Sequence, residues 1–129
     1  MDNLEAMFKC QKDLQNSLGY DFTKMSVEER VNYIKEYVLH MEHEAHEMLQ
    51  ELPHFKAWKR YSSDPAQQAL MLEEARKEWA DVTHFFINVS LALGFNAEHL
   101  MWFFLDKNAL NHTRQQNTAD YKKCVGGLE

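Results

Sequence analysis

The chain has 129 residues, enough for one domain that buries about two-thirds of its unfolded surface, and 45% of them are hydrophobic. A formal net charge of −6 argues against a nucleic-acid-binding surface. No apolar run approaches the roughly 18 residues that a membrane span needs, and the N-terminus carries no apolar signal core, so neither insertion nor export is expected.

Four Gly and two Pro in the whole chain point to long regular elements. A first helix is predicted from about Asn3 to Leu18, ended by Gly19 in a left-handed cap. Ser26 and Glu29 form a capping-box pattern that opens a long second helix, stopped by Pro53. His54 to Tyr61 reads as a short turn or helix, and SSDP as a loop. Asp64 as N-cap and Pro65 in the first position start a third helix that reaches Leu93, with Gly94 after it. Asn96 caps a fourth helix to about Gln115. The expectation is an all-α bundle of four main helices and a short connecting helix. It occupies residues 1–121 as one domain, and 122–129 form a frayed tail. Cys10 and Cys124 lie far apart without a CxxC pattern, as in a reduced cytoplasmic protein.

Periodicity then separates core from chemistry. On the second helix Ile34, Val38, Met41, Ala45, Met48 and Leu52 recur at spacings of four and three, an apolar stripe. His40, Glu44, Glu47 and Glu51 run directly alongside it. The third helix repeats the arrangement, with Ala75, Trp79, Val82, Phe86, Val89 and Leu93 as its stripe and Glu74, Glu78 and Asp81 beside it. If the two helices pack antiparallel, Glu44 and Glu47 face Glu78 and Asp81 across a groove.

Carboxylates gathered at a core edge repel one another, and a divalent cation relieves that repulsion. Hard oxygen donors favour Mg²⁺, or Mn²⁺ in its place, and Mg²⁺ characteristically bridges to substrate phosphates. The bland alternative is a solvated helix flank. Histidines point less clearly to metal. His43 and His46 are read as mostly solvent-facing and His84 as a hydrogen-bonded residue at the core edge. The only ExxH usable in a di-iron bundle, Glu51 to His54, has Pro53 inside it, and no HExxH is present.

Glu44-x-x-Glu47, Glu51 and Phe55-Lys56-x-Trp58-Lys59 resemble the first motif block of the all-α nucleoside triphosphate pyrophosphatases, related to MazG. The resemblance is to the dimeric dUTPase branch, which includes phage dUTPases and dCTPases. Glu78-x-x-Asp81 with His84-Phe85-Phe86 is similar to its second block. Lys107-Asn108-x-x-Asn111-x-x-Arg114-Gln115 is similar to its C-terminal signature, and the likeness covers about residues 8–121. Thirty residues separate Glu47 from Glu78, slightly more than is usual there.

The resemblance implies hydrolysis of a deoxynucleoside triphosphate, dUTP first and dCTP second, to the monophosphate and pyrophosphate. It implies that Glu44, Glu47, Glu78 and Asp81 hold Mg²⁺, with Glu47 orienting the attacking water. Lys56, Lys107, Asn108, Asn111 and Arg114 would grip phosphates; Gln11, Gln15 and Trp58 would meet base or sugar. Either base can satisfy a glutamine amide, which donates and accepts, so the residues alone leave the base open. LMWFFL at 100–105 is apolar on every side, which together with the resemblance suggests a homodimer. The competing classes are a non-enzymatic helical interaction protein and a carboxylate-bridged di-iron bundle.

Overall fold

A computed structural model gives the architecture, and it describes residues 1–53 and 60–116. Among these residues there are four α-helices and no strand. The chain is all-α.

Each helix begins where a side chain replaces the missing backbone partners of its first turn. Helix α1, Asn3–Ser17, opens with a capping box: Asp2 Oδ1 accepts from the Glu5 amide at 2.8 Å, and Glu5 Oε2 accepts from the Asp2 amide at 3.1 Å. Helix α2, Val27–Gln50, uses the expected Ser26–Glu29 box. Asp64 caps α3, Pro65–Ala92, through the Ala66 amide at 3.1 Å, and Pro65 takes the first turn. Asn96 Oδ1 accepts from the His99 amide at 2.8 Å to start α4, Ala97–Gln116. Gly19 and Gly94 end α1 and α3 at φ 96° and 89°. At Gly94 a β-carbon would also stand 3.4 Å from Arg30 Nη2.

The chain divides into two compact units, 1–94 and 95–129. In the first, α2 and α3 run antiparallel. Arg30 Nε donates to the Ala92 carbonyl at 2.7 Å, the Tyr37 and Phe85 rings lie 5.9 Å apart, and Met48 and Ala75 line one cavity. Helix α1 lies against both, with Phe8 buried, Gln11 bonded to α3 and Gln15 to α2. Tyr33 stacks on Tyr37 at 3.9 Å and meets Tyr20 and Phe22 edge-on. In the second unit Ala97 is buried and Phe103 packs edge-on against Phe95 at 5.1 Å.

Two expectations about the core need correction. The α2 stripe from Ile34 to Leu52 is half-buried throughout, and the buried side chain of α2 is Tyr33, one position away. On α3, Ala75 and Val82 are buried as expected, but Trp79, Phe86 and Leu93 are 53%, 44% and 54% exposed. The cause is that α3 is apolar around much of its circumference, so period alone cannot choose a face. Its neighbours pack along Ala75, Val82, Asn88 and Ala92 instead. Of the short helix expected at His54–Tyr61, residues 54–59 lie outside the described residues, and Arg60 and Tyr61 are described and not helical; the expected tail at 122–129 lies wholly outside them.

Candidate functional site

The antiparallel register of α2 and α3 brings the two acidic rows together. Glu44 and Glu47 occupy successive turns of α2, and each offers an oxygen that lies, with one from Glu78 of α3, within 4.8 Å of the others. All three are half-buried. Asp81 sits one turn beyond Glu78 and acts electrostatically on Glu44.

The consequence is visible in acidity. Partial burial, then the neighbouring Glu47, Asp81 and Glu78 carboxylates, push the Glu44 carboxyl above its ordinary range. Burial, then Glu47 and Asp81, do the same to Glu78, with Glu51 adding to the push. Among the described residues no Lys or Arg forms a salt bridge with these three glutamates; nearby Lys77 pairs with Glu74 at 3.1 Å. The nearest counter-groups are histidines. His43 Nε2 lies 2.9 Å from Glu47 Oε1, and His84 Nδ1 lies 3.7 Å from Asp81 Oδ1. His43 and His46 face solvent as expected. His84 is a correction: its side chain is exposed and turned toward Asp81 rather than held at the core edge. Converging carboxylate oxygens are the donor set of a hard divalent cation, so the residues fit Mg²⁺.

Beside the carboxylates opens a cavity of about 550 Å³, lined by Gln11 and Gln15 of α1, Tyr37 and Glu44 of α2, and Asp81 and Phe85 of α3. Gln11 and Gln15 are 8% and 4% exposed. Gln11 Nε2 donates to Asn88 Oδ1 at 2.9 Å, and Gln15 Oε1 accepts from the Tyr33 hydroxyl at 2.9 Å. Asn88 also lines the cavity. Sequence reasoning missed it, although an asparagine two turns after Asp81, between isoleucine and valine, is the kind of signal that could have found it.

Lys56 and Trp58 lie outside the described residues, as does His54 of the ExxH pattern. Lys107, Asn111 and Arg114 follow one another at intervals of four and three on α4, so they share a face, with Asn108 next to Lys107; all four are exposed.

Residues 3–99 match the model of a protein family described as dUTPase. The chain belongs to that family. The matched stretch holds all four acidic residues, both glutamines and Asn88, whereas Lys107 to Arg114 lie beyond it. Membership supports a nucleotide hydrolase that acts on dUTP. No curated protein and no solved structure matches the chain.

Proposed function

We propose that the protein is a Mg²⁺-dependent dUTP pyrophosphatase, with dCTP as the second-ranked substrate, yielding the monophosphate and pyrophosphate. The observation that carries the reading is the convergence of Glu44, Glu47 and Glu78, with Glu44 and Asp81 also lining a cavity that Gln11 and Gln15 share, in a chain of the dUTPase family. Glu44, Glu47, Glu78 and Asp81 would hold the cation, and Mn²⁺ would serve in its place. When bound, the metal supplies charge neutralisation for the phosphates and acidifies water.

The chain's own residues do the rest. Glu47 orients the attacking water and takes up its proton during in-line attack at the α-phosphorus, while His43, 2.9 Å away, fixes the carboxylate. Arg114, with Lys107, Asn108 and Asn111, binds the β- and γ-phosphates, Arg114 through paired N–H donors. Lys56 contributes a further phosphate contact and Trp58 covers base or sugar. Gln11 and Gln15 meet the base, and Phe85 offers a ring face in the same cavity.

The exposed apolar faces support a homodimer. Leu72, Trp79, Phe86 and Leu93 repeat every seven residues on α3, and Met101 to Leu105 form an exposed run on α4. Pyrophosphate release with dUTP, dCTP, dTTP and dATP, with Mg²⁺ or with EDTA, is the test. Release from dUTP that stops in EDTA is expected; no release from any of the four would end the proposal.

A further inference from the structure

We propose that Arg60 reads the length of the phosphate chain: the cavity between the end of α2 and the first turns of α3 takes the third phosphate of a nucleoside triphosphate, and a diphosphate falls short of it. The inference rests on reading the converging carboxylates as the site of hydrolysis.

The two acidic rows have two ends, and each end opens into a cavity. Glu44 and Asp81 line the one that Gln11 and Gln15 share. Glu51 and Glu74 line a second one, of about 270 Å³. The converging oxygens of Glu44, Glu47 and Glu78 lie between the two, since Glu47 is one turn before Glu51 and Glu78 one turn after Glu74. Glu51 acts electrostatically on Glu78, so the far cavity is continuous with the cluster. Two helical turns, about 10 Å, carry α2 from Glu44 to Glu51.

The cavities differ in what they offer. The near one has amides and the rings of Tyr37 and Phe85, whereas Arg60 and Gln67 line the far one. Glu74 is already paired with Lys77 at 3.1 Å, and Arg60 forms no salt bridge among the described residues. Its planar fork of N–H donors is therefore open to a ligand, and that fork matches two phosphate oxygens at once. The backbone beside it is tied to α3. Ser62 Oγ accepts from the Asp64 amide at 3.1 Å, and the Ser62 carbonyl accepts from Gln68 Nε2 at 2.8 Å. Arg60 also belongs to the same compact unit as the carboxylates.

A nucleotide has the matching polarity. With the reacting phosphorus at the converging carboxylates, the rest of the molecule leaves toward the two ends of the rows. Amides and rings suit the nucleoside; the guanidinium suits the phosphate chain. The carboxylates repel a bare chain, so it enters as its magnesium complex, cation toward the rows and last phosphate beyond them. In a diphosphate the one phosphate past the reacting centre stays beside Glu47 and Glu78. Only a further phosphate passes the Glu51–Glu74 level and meets Arg60.

The test is calorimetric binding of α,β-imido-dUTP and α,β-imido-dUDP to the full chain in Mg²⁺. Their bridging N–H replaces the bond that would be cleaved, so the readout is independent of turnover. The parent is expected to prefer the triphosphate by about tenfold or more, the range of a charge-assisted hydrogen bond. Arg60→Ala should bring the ratio near one by weakening the triphosphate alone. Arg60 is exposed, so the far-ultraviolet spectrum should not change. Arg60→Lys keeps the charge but not the fork and should retain part of the preference. Arg76→Ala, which removes an exposed cation paired with Glu73, controls for net charge and should leave the ratio as it is.

A parent ratio near one, or an Arg60→Ala variant that weakens both analogues alike or neither, would overturn the proposal. So would an equal change of the ratio in Arg76→Ala. An Arg60-dependent preference without pyrophosphate release from dUTP would leave the phosphate reading standing and remove the hydrolase. Release from dUTP with a ratio indifferent to Arg60 would do the reverse.

Discussion

The Tyr33 hydroxyl donates to Gln15 Oε1 at 2.9 Å, joining α2 to α1 through two buried side chains. Tyr33→Phe removes the donor and strands a buried amide oxygen, which costs on the order of 1–3 kcal/mol. Urea denaturation should show a lower midpoint with an unchanged slope. An unchanged midpoint would mean that the bond contributes nothing.

The same tyrosine cluster sets the alkaline limit of the fold. Burial, then Tyr37 and Tyr20 close by, push the Tyr33 phenol far upward. Burial, then the hydrogen bond with Tyr20, push Tyr37 up to about 12. An unfolded tyrosine ionises near 10, so between that value and about 12 the unfolded chain has lost protons that the folded chain keeps. The contribution of Tyr37 is therefore complete below pH 10 and declines as pH rises toward 12. Phenolate absorbance should appear late in the titration and rise together with loss of helicity; an ordinary tyrosine titration in the folded state would contradict this.

At the carboxylates the shift has the same sign, but its window lies in the acid range, so its effect is already felt at neutral pH. Glu44 and Glu78 have raised folded values, so the metal-free protein is penalised while both are ionised. That penalty is relieved as pH falls through the raised values, because the folded chain binds protons before the unfolded one does. Glu78→Gln should accordingly raise the Tm of the metal-free protein at pH 7 and abolish most of the Tm gain produced by Mg²⁺. The Mg²⁺-induced gain of the parent should begin to shrink at a pH above the ordinary carboxylate range. A Tm indifferent to Mg²⁺ in the parent would refute the cation site.

Turnover should depend on the same residues. Glu47→Gln or Asp81→Asn is expected to lower kcat by about 10³-fold or more with the far-ultraviolet spectrum unchanged, since the general base and metal contributions are each of that order or larger. Full activity in either variant would place the chemistry elsewhere.

The exposed heptad of α3 gives a test of assembly. Sedimentation at micromolar concentration is expected to show twice the chain mass of 15.3 kDa. Trp79→Glu with Phe86→Glu, two substitutions at exposed positions, should return a folded 15.3 kDa species. A parent that sediments as a monomer would remove the dimer.

Helices and their starts were legible because each is punctuated locally: Ser26 with Glu29, Asp64 with Pro65, Asn96, and glycines at 19 and 94. The carboxylate pairing was legible too, since matching three-residue spacings on two helices meet only in one register. What escaped was rotational. Apolar residues around most of α3 leave the choice of packed face to its neighbours, so periodicity points Trp79, Phe86 and Leu93 inward although they lie outward. The partners of Gln11 escaped for a different reason. They are Asn88 and the His84 carbonyl, 77 and 73 residues away, and no local pattern carries that information.

The antiparallel register of α2 and α3 also determines where this chain can change length. A residue inserted within Val27–Gln50 or Pro65–Ala92 turns everything beyond it by about 100° around the helix axis. One such step would separate Glu44 and Glu47 from Glu78 and part Tyr37 from Phe85 together, so damage to chemistry and to packing would be inseparable. Between Gln50 and Pro65 the same insertion rotates neither helix. A change of length there leaves the two acidic rows aligned like the markings of two rulers, since their register is set by the packing of α2 against α3.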